Sequence, residues 1–454
     1  MAPPADKSPI HSELAAPSPA IHAGSSEASP LRAHYALYLL TATYALNYVD
    51  RNVFSILLES IKRDLHASDT VMGLLAGFTF VIFQGILGLP IARLADRSDR
   101  RSILAIGILL WSAMTAFSGM ARSVVQLAFA RIGVGVGEAA SAAAPSLISD
   151  LFPQGRRQSA MGIYSTGLYL GVFLGYFVGG WVNQFYGWRA AFFAAGAPGV
   201  VVALILRFTV DEPQRGESEA RGNIGIPAAR QEPLSETLRF LAGQGSFVWG
   251  VAGFCLTSFT NFGLSVWVPA FMRRVHHMSP GAIGTYTGTA RGLVAMAGAL
   301  TGGFVVERLS KSDTRWMLRA PAIASILGGP ALLIFLFADT TTGSLAGLGL
   351  AAFLIGFHIG PIWTLGQTVV KVNMRSLSYA IISLTGSAFG LGLGPLLIGI
   401  ANDRWKPQYG DLAIRYSMVS IAVASTLGGA AFWYAARFID SDLARAAGRR
   451  PDRD

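Results

Sequence analysis

The nine residues LNYVDRNVF, from Leu46 to Phe54, lie in the middle of an apolar run that extends over about residues 35–58. Two ionisable side chains, Asp50 and Arg51, stand side by side in this run. Each charge at the centre of a membrane-spanning helix costs about 2.5–3.5 kcal/mol on insertion scales. A segment that served only as an anchor would carry leucine at both positions. The pair is therefore the first candidate for function.

The composition is that of a helical membrane protein. Of the 454 residues, 52% are hydrophobic and 14% are charged, whereas a soluble domain carries about 25% charged residues. Repeated apolar runs have about the 20 residues that one membrane-spanning helix requires. The sequence therefore predicts an all-α polytopic membrane protein with twelve transmembrane helices in two six-helix bundles. The runs cover approximately residues 35–58, 70–92, 102–120, 123–149, 157–182, 189–208, 247–271, 281–303, 316–337, 344–370, 375–401 and 413–438.

The net charge of +10 lies mainly in short loops between these runs. Arg and Lys are more numerous on the side of the two termini, and the positive-inside rule then predicts that both termini are cytoplasmic. The expected location is the plasma membrane, or the inner membrane if the source is a bacterium. Because membrane topology accounts for the positive charge, we expect no nucleic-acid partner.

Residue types that catalyse reactions or bind metals do not occur in a suitable pattern. The single cysteine, Cys255, excludes an internal disulfide framework and a cysteine-based metal site. The sequence contains no His-x-x-x-His pair and no candidate Ser-His-Asp set. We therefore expect no catalytic residue, no metal, no cofactor and no enzymatic activity.

The distribution of apolar and polar segments predicts five regions. They are a disordered cytoplasmic tail at 1–33, an N-terminal bundle at 34–209, a cytoplasmic linker at 210–245, a C-terminal bundle at 246–440 and a cytoplasmic tail at 441–454. A short surface helix is predicted in the linker at 234–241.

The two halves repeat each other at an offset of 211 residues. Two homologous halves imply a pseudo-twofold axis with a cavity between the bundles, the arrangement of carriers that rock between two states. The matching pairs are Ser68 with Ser279, Gly73 with Gly284 and, after an insertion that makes the offset 219, Gly175 with Gly394 and Gly180 with Gly399.

The ten residues ARLADRSDRR, from Ala92 to Arg101, follow the second apolar run. They resemble the loop signature of the major facilitator superfamily, Gly-x-Leu-Ala-Asp-Arg-x-Gly-Arg-Arg, with Ala92 and Asp99 in place of its two glycines. The resemblance implies a gate in which Asp96 meets the N-terminal dipole of the eleventh helix near Arg375. A solvated loop that only fixes topology is the alternative. The predicted gating residues are Arg93, Asp96, Arg97 and Arg101, with Glu307 and Arg308 in the repeated copy.

Three further motifs are more specific. The residues RIGVGVGEA from Arg131 to Ala139, together with NYVDR at 47–51 and DEPQRG at 211–216, are similar to the spinster-like branch of that superfamily. This resemblance implies a carrier whose substrates are lysophospholipids or sphingosine-1-phosphate.

A face of small residues in the fifth run, which includes Gly171, Gly175 and Gly180, resembles an antiporter element of the superfamily. Tyr176 replaces the proline of that element. Close helix packing is an equally good explanation of the glycines.

Helix geometry constrains the partners of the first charged pair. Asp50 and Arg51 are adjacent in sequence and do not face each other on a helix, so each needs a partner on another helix. Arg131 and Glu138 share one face of the fourth helix, about 10 Å apart along its axis. Asp50 lies at a depth between them. We predict that Asp50 pairs with Arg131 and that Glu138 faces the cavity floor; the alternative is a static ion network that fixes helix packing.

The formal charges of this cluster sum to zero. Protonation of the acids would leave a positive site for a phosphate or carboxylate, so we predict proton coupling at Asp50 and Glu138. The predicted substrate-binding residues are Arg51, Arg131, Glu138, Asn47, Tyr48 and Arg291.

The second half has no acid that matches Asp50, because Asn261 occupies the equivalent position. We expect Arg291 to face the cavity or to reach the membrane surface, and His358 to be a packed helix residue. A charged head near the first half and an apolar tail near the largely apolar second half would fit this distribution.

The leading interpretation is a monomeric secondary carrier that moves an amphipathic organic anion or lysolipid by alternating access, with protons as coupling partners and membrane lipids as neighbours. A carrier of a small organic acid or drug is the alternative within this class. A non-transporting receptor and an intramembrane lipid enzyme are the alternatives outside it.

Overall fold

The protein is described by a computed structural model that covers residues 30–79, 81–83, 85–86, 90–91, 94, 98–212 and 233–448. Within these ranges every regular element is helical. In the described ranges twelve helical segments, α1 to α12, form two bundles of six, so the predicted fold class is confirmed. The N-terminal bundle consists of α1 (Pro30–Asp64), α2 (Asp69–Gly73, continued by a π-helical turn at Leu74–Phe78), α3 (Arg100–Ser118), α4 (Val124–Glu138 and Ala143–Leu151, joined by a 3-10 turn at Ala139–Ala142) and the helical run Gln154–Thr209, which holds α5 and α6.

The break between α5 and α6 lies at Gly187. Its φ of 81° falls in the left-handed region, which glycine adopts without the steric cost that a Cβ would add. No other residue of the run Gln154–Thr209 leaves helical φ and ψ, so the reversal between the two antiparallel spans is concentrated at this glycine.

The C-terminal bundle repeats this architecture. The linker contains a short helix at Leu234–Ala242, as predicted, and a C-terminal helix at Ile439–Ala446 follows the last span. The spans are α7 (Gly245–Arg274), α8 (Pro280–Gly288, a π-helical turn at Thr289–Val294 and Ala295–Ser310), α9 (Trp316–Phe337), α10 (Thr341–Ile355, a 3-10 turn at Gly356–His358 and Ile359–Thr368), α11 (Arg375–Gly386, a π-helical turn at Ser387–Leu393 and Gly394–Tyr409) and α12 (Val419–Ala435).

Length and apolar composition agree with a membrane location. In the described ranges, eight helical runs are long and apolar enough to cross a membrane, and two of these, Gln154–Thr209 and Arg375–Ala435, hold two spans each. α2 is a shorter apolar helix that starts at Asp69. α1 has 35 residues, enough to cross, and carries the polar pair in its middle.

The internal repeat is visible in the backbone. Ser68 caps α2 by accepting a hydrogen bond from the amide of Val71 at 3.2 Å, and Ser279 caps α8 in the same way through Ala282 at 3.4 Å. Just before these caps, His66 and His277 have φ values of 51° and 53°. Since the caps and the two histidines are each separated by 211 residues, both halves enter their second helix through the same turn.

Asp99 explains one departure from the superfamily signature. It is the N-cap of α3 with an ordinary extended backbone, φ −62° and ψ 107°, so this position does not require glycine. Its carboxylate accepts hydrogen bonds from the amide of Ser102 at 3.1 Å and from the hydroxyl of Ser102 at 2.8 Å. Partial burial opposes ionisation, yet the hydrogen bonds from Ser102 prevail and lower the pKa of Asp99 to about 2.

Replacing the cap, Asp99→Ala, is expected to lower the free energy of unfolding by about 1 kcal/mol, the usual contribution of an N-cap. Because the pKa is lower in the folded state, the contribution is complete above the unfolded pKa of about 3.9 and disappears as the pH falls towards 2. Melting temperatures of both proteins in detergent between pH 7 and pH 3 would measure this. A difference that does not shrink in acid would contradict the assignment of Asp99 as an ionised cap.

Candidate substrate cavity and its charged cluster

A cavity of about 600 Å³ lies between the two bundles. Each bundle supplies residues from four helices: α1, α2, α4 and α5 on one side, and α7, α8, α10 and α11 on the other. The described lining includes three arginines, Arg51, Arg131 and Arg291, and one histidine, His358, but no Asp or Glu. Three guanidinium groups therefore lie in the wall of the cavity.

The cavity is closed at the end of the bundles that lies far from the chain termini. Arg274, the last residue of α7, pairs with Glu59 of α1 and with Asp69 at the start of α2, where its Nη1 lies 2.6 Å from Oδ2 of Asp69. Lys62 also pairs with Asp69. The two ion pairs of Arg274 join the bundles, so the bundles cannot separate at this end without breaking them.

Two hydrogen-bonded caps complete this seal, and they are related by the repeat. Asp403 of α11 accepts from the amides of Asp69 at 3.1 Å and Thr70 at 2.7 Å, and from the Thr70 hydroxyl at 2.7 Å. Gln184 of α5 accepts from the amide of Gly281 at the start of α8, at 2.9 Å. Thr70 and Gly281 are 211 residues apart, and Gln184 and Asp403 are 219 apart. The two caps occupy equivalent places, but only one of them is a carboxylate.

Glycines permit the close approach at both caps. A Cβ at Gly180 of α5 would collide with the carbonyl oxygen of Pro280, and a Cβ at Gly399 of α11 would collide with that of Asp69. The small-residue face of α5 therefore serves helix packing, partly within its own bundle and partly against the other.

We expect Asp403→Ala to loosen the seal more than Gln184→Ala. Hydrogen bonds to a charged group contribute about 1.5–3 kcal/mol, which corresponds to a population change of about tenfold or more. The measurement is the rate at which a membrane-impermeant maleimide, added from the sealed side, modifies a cysteine at Ser55 of the cavity wall in a Cys255→Ala background. Equal rates in both variants would contradict the unequal strength of the two caps.

The charged cluster on α1 and α4 has a different pairing from the predicted one. Arg51 donates from Nε and Nη2 to the same oxygen of Glu138, Oε2, at 2.8 and 2.5 Å. Asp50 accepts a hydrogen bond from the hydroxyl of Thr115 on α3 at 2.5 Å. Among the described residues no hydrogen bond or ion pair joins Asp50 to Arg131, so the predicted pairing is wrong, although their charges act on each other through space. The long Arg51 side chain reaches α4, whereas the short Asp50 side chain faces α3.

Arg131 is buried without a complete set of partners. It is 2% exposed, and its guanidinium carbon lies 4.9 Å from the centre of the Phe54 ring. In the part of the chain that the structure describes, its Nε and Nη1 have no hydrogen-bond partner. A buried guanidinium with donors that have no partner is costly, and the Arg131 side chain forms part of the cavity wall.

The acids lie one layer behind the arginines. Asp50 and Glu138 are 2% and 1% exposed, and neither belongs to the described lining of the cavity. Asn47, 3% exposed, is also behind the wall. Glu138 therefore does not face the cavity floor as expected, and a direct contact of Glu138 or Asn47 with a ligand stays a prediction. Tyr48, Arg51, Arg131 and Arg291 do line the cavity.

Arg291 lies on the π-helical turn of α8 and faces the cavity, which removes the alternative that it reaches the membrane surface. Its Nη2 donates to the backbone carbonyl of Asn261 at 3.1 Å and to the Asn261 side-chain oxygen at 2.9 Å. His358 is buried, as expected, and also lines the cavity; among the described residues its Nδ1 has no hydrogen-bond partner.

Several lining residues were not predicted from the sequence. On α1 they form a polar stripe at helical spacing, and that spacing is the signal that could have revealed them. On α5, tyrosines contribute, and Tyr164 stacks on Tyr44 with 4.5 Å between ring centres. The additional lining residues include Tyr44, Asn52 and Ser55 of α1, and Tyr164 and Tyr169 of α5.

The predicted gate can be described only in part. Arg93, Asp96 and Arg97 lie outside the described residues. Arg101 ties the start of α3 to the end of α6, since its backbone amide donates to Glu212 at 2.9 Å and its Nη1 to the Val210 carbonyl at 2.8 Å. In the repeated copy, Arg308 is exposed and Glu307 pairs with Lys311 on the same helix at 3.2 Å. Gating by these residues stays a prediction.

Comparison with known proteins gives a consistent result. Residues 40–395 match the Major Facilitator Superfamily. The chain is 30% identical over 422 residues to an MFS-type efflux pump of Mycolicibacterium smegmatis, with 92% of this chain and 96% of that protein covered. It is also 30% identical over 445 residues to human protein spinster homolog 1, with 92% and 83% covered.

A solved structure extends the similarity to three dimensions. The inward-facing, unoccupied crystal structure of a bacterial homolog to the human lysosomal transporter Spinster superposes with a TM-score of 0.81. The two chains are 26% identical, and the match covers 91% of this chain and 99% of the other. The chain therefore belongs to the major facilitator superfamily and is a membrane transporter of its spinster-like branch.

Proposed function

We propose that this transporter is a proton-coupled secondary carrier of an amphipathic organic anion, of the lysophospholipid or sphingosine-1-phosphate type. The observation that carries the proposal is the cavity between the bundles, whose described lining contains three arginines and no carboxylate. Its volume of about 600 Å³ lies within the range of about 300–1,000 Å³ that is usual for ligand pockets.

Proton coupling is supported by the layer of acids behind the arginines. Glu138 neutralises Arg51 directly, and Asp50 lies in the field of Arg131, Glu138 and Arg51 and under the hydroxyl of Thr115. When the acids are ionised, the two arginines are internally compensated. A proton on either acid releases one positive charge towards the cavity, so proton binding and anion binding favour each other.

An amphipathic ligand is supported by the mixed character of the wall. Besides Arg291, the C-terminal bundle contributes aromatic and aliphatic side chains, among them Phe254, Phe262, Trp363 and Leu391. Such a surface accommodates an acyl chain, while the guanidinium groups hold a phosphate or carboxylate.

Alternating access is supported by the way in which the bundles are joined at one end. Ion pairs and caps join the bundles at the end far from the termini, and relatives of this fold include an inward-facing structure. With both termini cytoplasmic, the sealed end faces away from the cytoplasm. One chain supplies both bundles and both walls of the cavity, in keeping with a monomer in the plasma membrane or bacterial inner membrane.

The test is a flux assay in proteoliposomes with and without an inward pH gradient. The panel contains lysophosphatidic acid, sphingosine-1-phosphate, lysophosphatidylcholine, benzoate and ethidium, with protein-free liposomes as the control. We expect transport of the anionic lysolipids to respond to the pH gradient and to lose this response with a protonophore. Binding without counterflow would instead indicate a receptor.

A second candidate is a carrier of small organic acids or drugs, because one relative that matches over nearly its whole length is an MFS-type efflux pump. In the same assay, flux of benzoate or ethidium that long-chain lysolipids do not inhibit would favour this candidate.

A further inference from the structure

Arg291, on the C-terminal side of the cavity wall, has surroundings unlike those of the other two lining arginines, Arg51 and Arg131. Arg291 is held in place by Asn261 on α7 through two hydrogen bonds from Nη2, at 3.1 and 2.9 Å. The phenol of Tyr176 on α5 lies in its field. In the described part of the chain no Asp or Glu pairs with it, and its Nε has no hydrogen-bond partner. Its orientation is therefore fixed and its charge is not compensated.

The arginines of the N-terminal bundle differ in this respect. Arg51 forms an ion pair with Glu138, and Arg131 is influenced by both Asp50 and Glu138. The charge that these two present to the cavity depends on whether the acids are ionised. Arg291 keeps its full charge at any physiological pH, because a guanidinium does not lose its proton in proteins.

A lone guanidinium in a membrane-spanning bundle is expensive, and such residues mark the path of a substrate. The two oxygens of Asn261 that accept from Arg291 are uncharged. A neutral hydrogen-bond donor could satisfy them, so helix packing does not explain the positive charge at this position. The natural counter-ion is the anionic group of the ligand itself, which a guanidinium can hold through two parallel hydrogen bonds.

We propose that Arg291, positioned by Asn261, is a permanent anion-binding site of the C-terminal bundle that holds the phosphate or carboxylate of the transported amphiphile in every protonation state of Asp50 and Glu138. This inference rests on the proposed function and refines it. The acids of the N-terminal bundle control coupling, and Arg291 supplies affinity. In this proposal the head group is held from the second half, whereas the distribution of charges along the sequence predicts a head group near the first half.

The experiment measures binding to the full-length protein in detergent by quenching of tryptophan fluorescence. The probes are oleoyl lysophosphatidic acid, its uncharged counterpart monooleoylglycerol, and inorganic phosphate, at pH 6 and pH 8. The variants are Arg291→Gln, Arg291→Lys and, as an Arg-to-Gln control outside the cavity, Arg319→Gln, which pairs with Asp313 near the surface. Binding of inorganic phosphate is measured as a change in the melting temperature of the protein, with chloride at equal ionic strength as the reference.

We expect Arg291→Gln to weaken lysophosphatidic acid binding by about tenfold or more at both pH values, the effect typical of a lost charge-assisted hydrogen bond. Monooleoylglycerol binding should be unchanged, and the ratio of affinities at pH 6 and pH 8 should remain that of the wild type. Arg291→Lys should recover only part of the affinity, because lysine restores the charge but not the two parallel hydrogen bonds. Phosphate should raise the melting temperature of the wild type and of Arg319→Gln but not of Arg291→Gln.

The outcomes separate the two proposals. Lysophosphatidic acid binding that is equal in the wild type and Arg291→Gln overturns the anion site and leaves the proposed function standing. If the wild type binds no lysolipid, the proposed function fails, and the phosphate measurement alone then decides on Arg291. If phosphate then raises the melting temperature of the wild type and of Arg291→Gln equally, or of neither, the inference about Arg291 is overturned as well.

Discussion

Arg51→Ala is expected to destabilise the protein strongly, and a second substitution, Glu138→Gln, is expected to restore most of the loss. Arg51 is the direct partner of Glu138, which is 1% exposed. Removal of one member of a buried ion pair costs about 3–5 kcal/mol, because the other charge is left uncompensated. Neutralising Glu138 removes that charge, so the double variant should approach the wild type in stability while remaining defective in anion transport.

The measurement is the melting temperature of the wild type, of Arg51→Ala and of the double variant Arg51→Ala with Glu138→Gln, all in the same detergent. Arg32→Ala is a matched control, since Arg32 pairs with Asp211 at 3.1 Å with both side chains largely exposed. Exposed ion pairs contribute at most about 1 kcal/mol. If Arg51→Ala melts no earlier than Arg32→Ala, or if Glu138→Gln does not rescue it, the Arg51–Glu138 pair does not hold α1 against α4.

Asp50→Asn is expected to abolish the acceleration of transport by a pH gradient while leaving the protein folded. Asparagine has nearly the same shape and can still accept the hydrogen bond that Asp50 Oδ1 receives from Thr115 at 2.5 Å. It cannot bind or release a proton. Coupling between two sites commonly amounts to about 5–150-fold in affinity, and we expect the response to the gradient to fall by a factor in that range.

The assay compares gradient-driven uptake with equilibrium counterflow of the same labelled substrate. Counterflow needs no net proton movement and should persist in Asp50→Asn. Thr115→Val is the companion variant: it removes the hydrogen bond but keeps the carboxylate, so the pH response should survive. An unchanged pH response in Asp50→Asn would remove Asp50 from the coupling mechanism and leave Glu138 as the candidate.

Features that depend on local sequence were predictable. The apolar runs define the spans, and the offset of 211 residues between Ser68 and Ser279 reports the same capped turn in both halves. The candidate charges on α1 and α4 also came from the sequence, because charges at membrane depth are rare. The fold places Arg51 and Arg131 in the wall of one cavity and the two acids, Asp50 and Glu138, behind them.

The pairing within the cluster could not be predicted, for a geometric reason. The rise per residue along a helix places Asp50 at a depth between Arg131 and Glu138, but the sequence does not give the rotation of each helix about its own axis. Thr115 of α3 donates a hydrogen bond to Asp50. A single threonine in an apolar helix does not indicate from the sequence which residue it will contact. The direction of Arg291 depends likewise on the π-helical turn at Thr289–Val294, which the apolar pattern does not reveal.

The joined ends of α2 and α11, and of α5 and α8, have a thermodynamic consequence for measurements from opposite faces of the membrane. The bonds of Asp403, Gln184 and Arg274 must all break before that face can admit a ligand. Apparent affinity falls in proportion to the fraction of molecules that are competent to bind. The same cavity should therefore look weaker to a solute offered outside the sealed end than to one offered from the other compartment, even where the chemistry of its walls is identical.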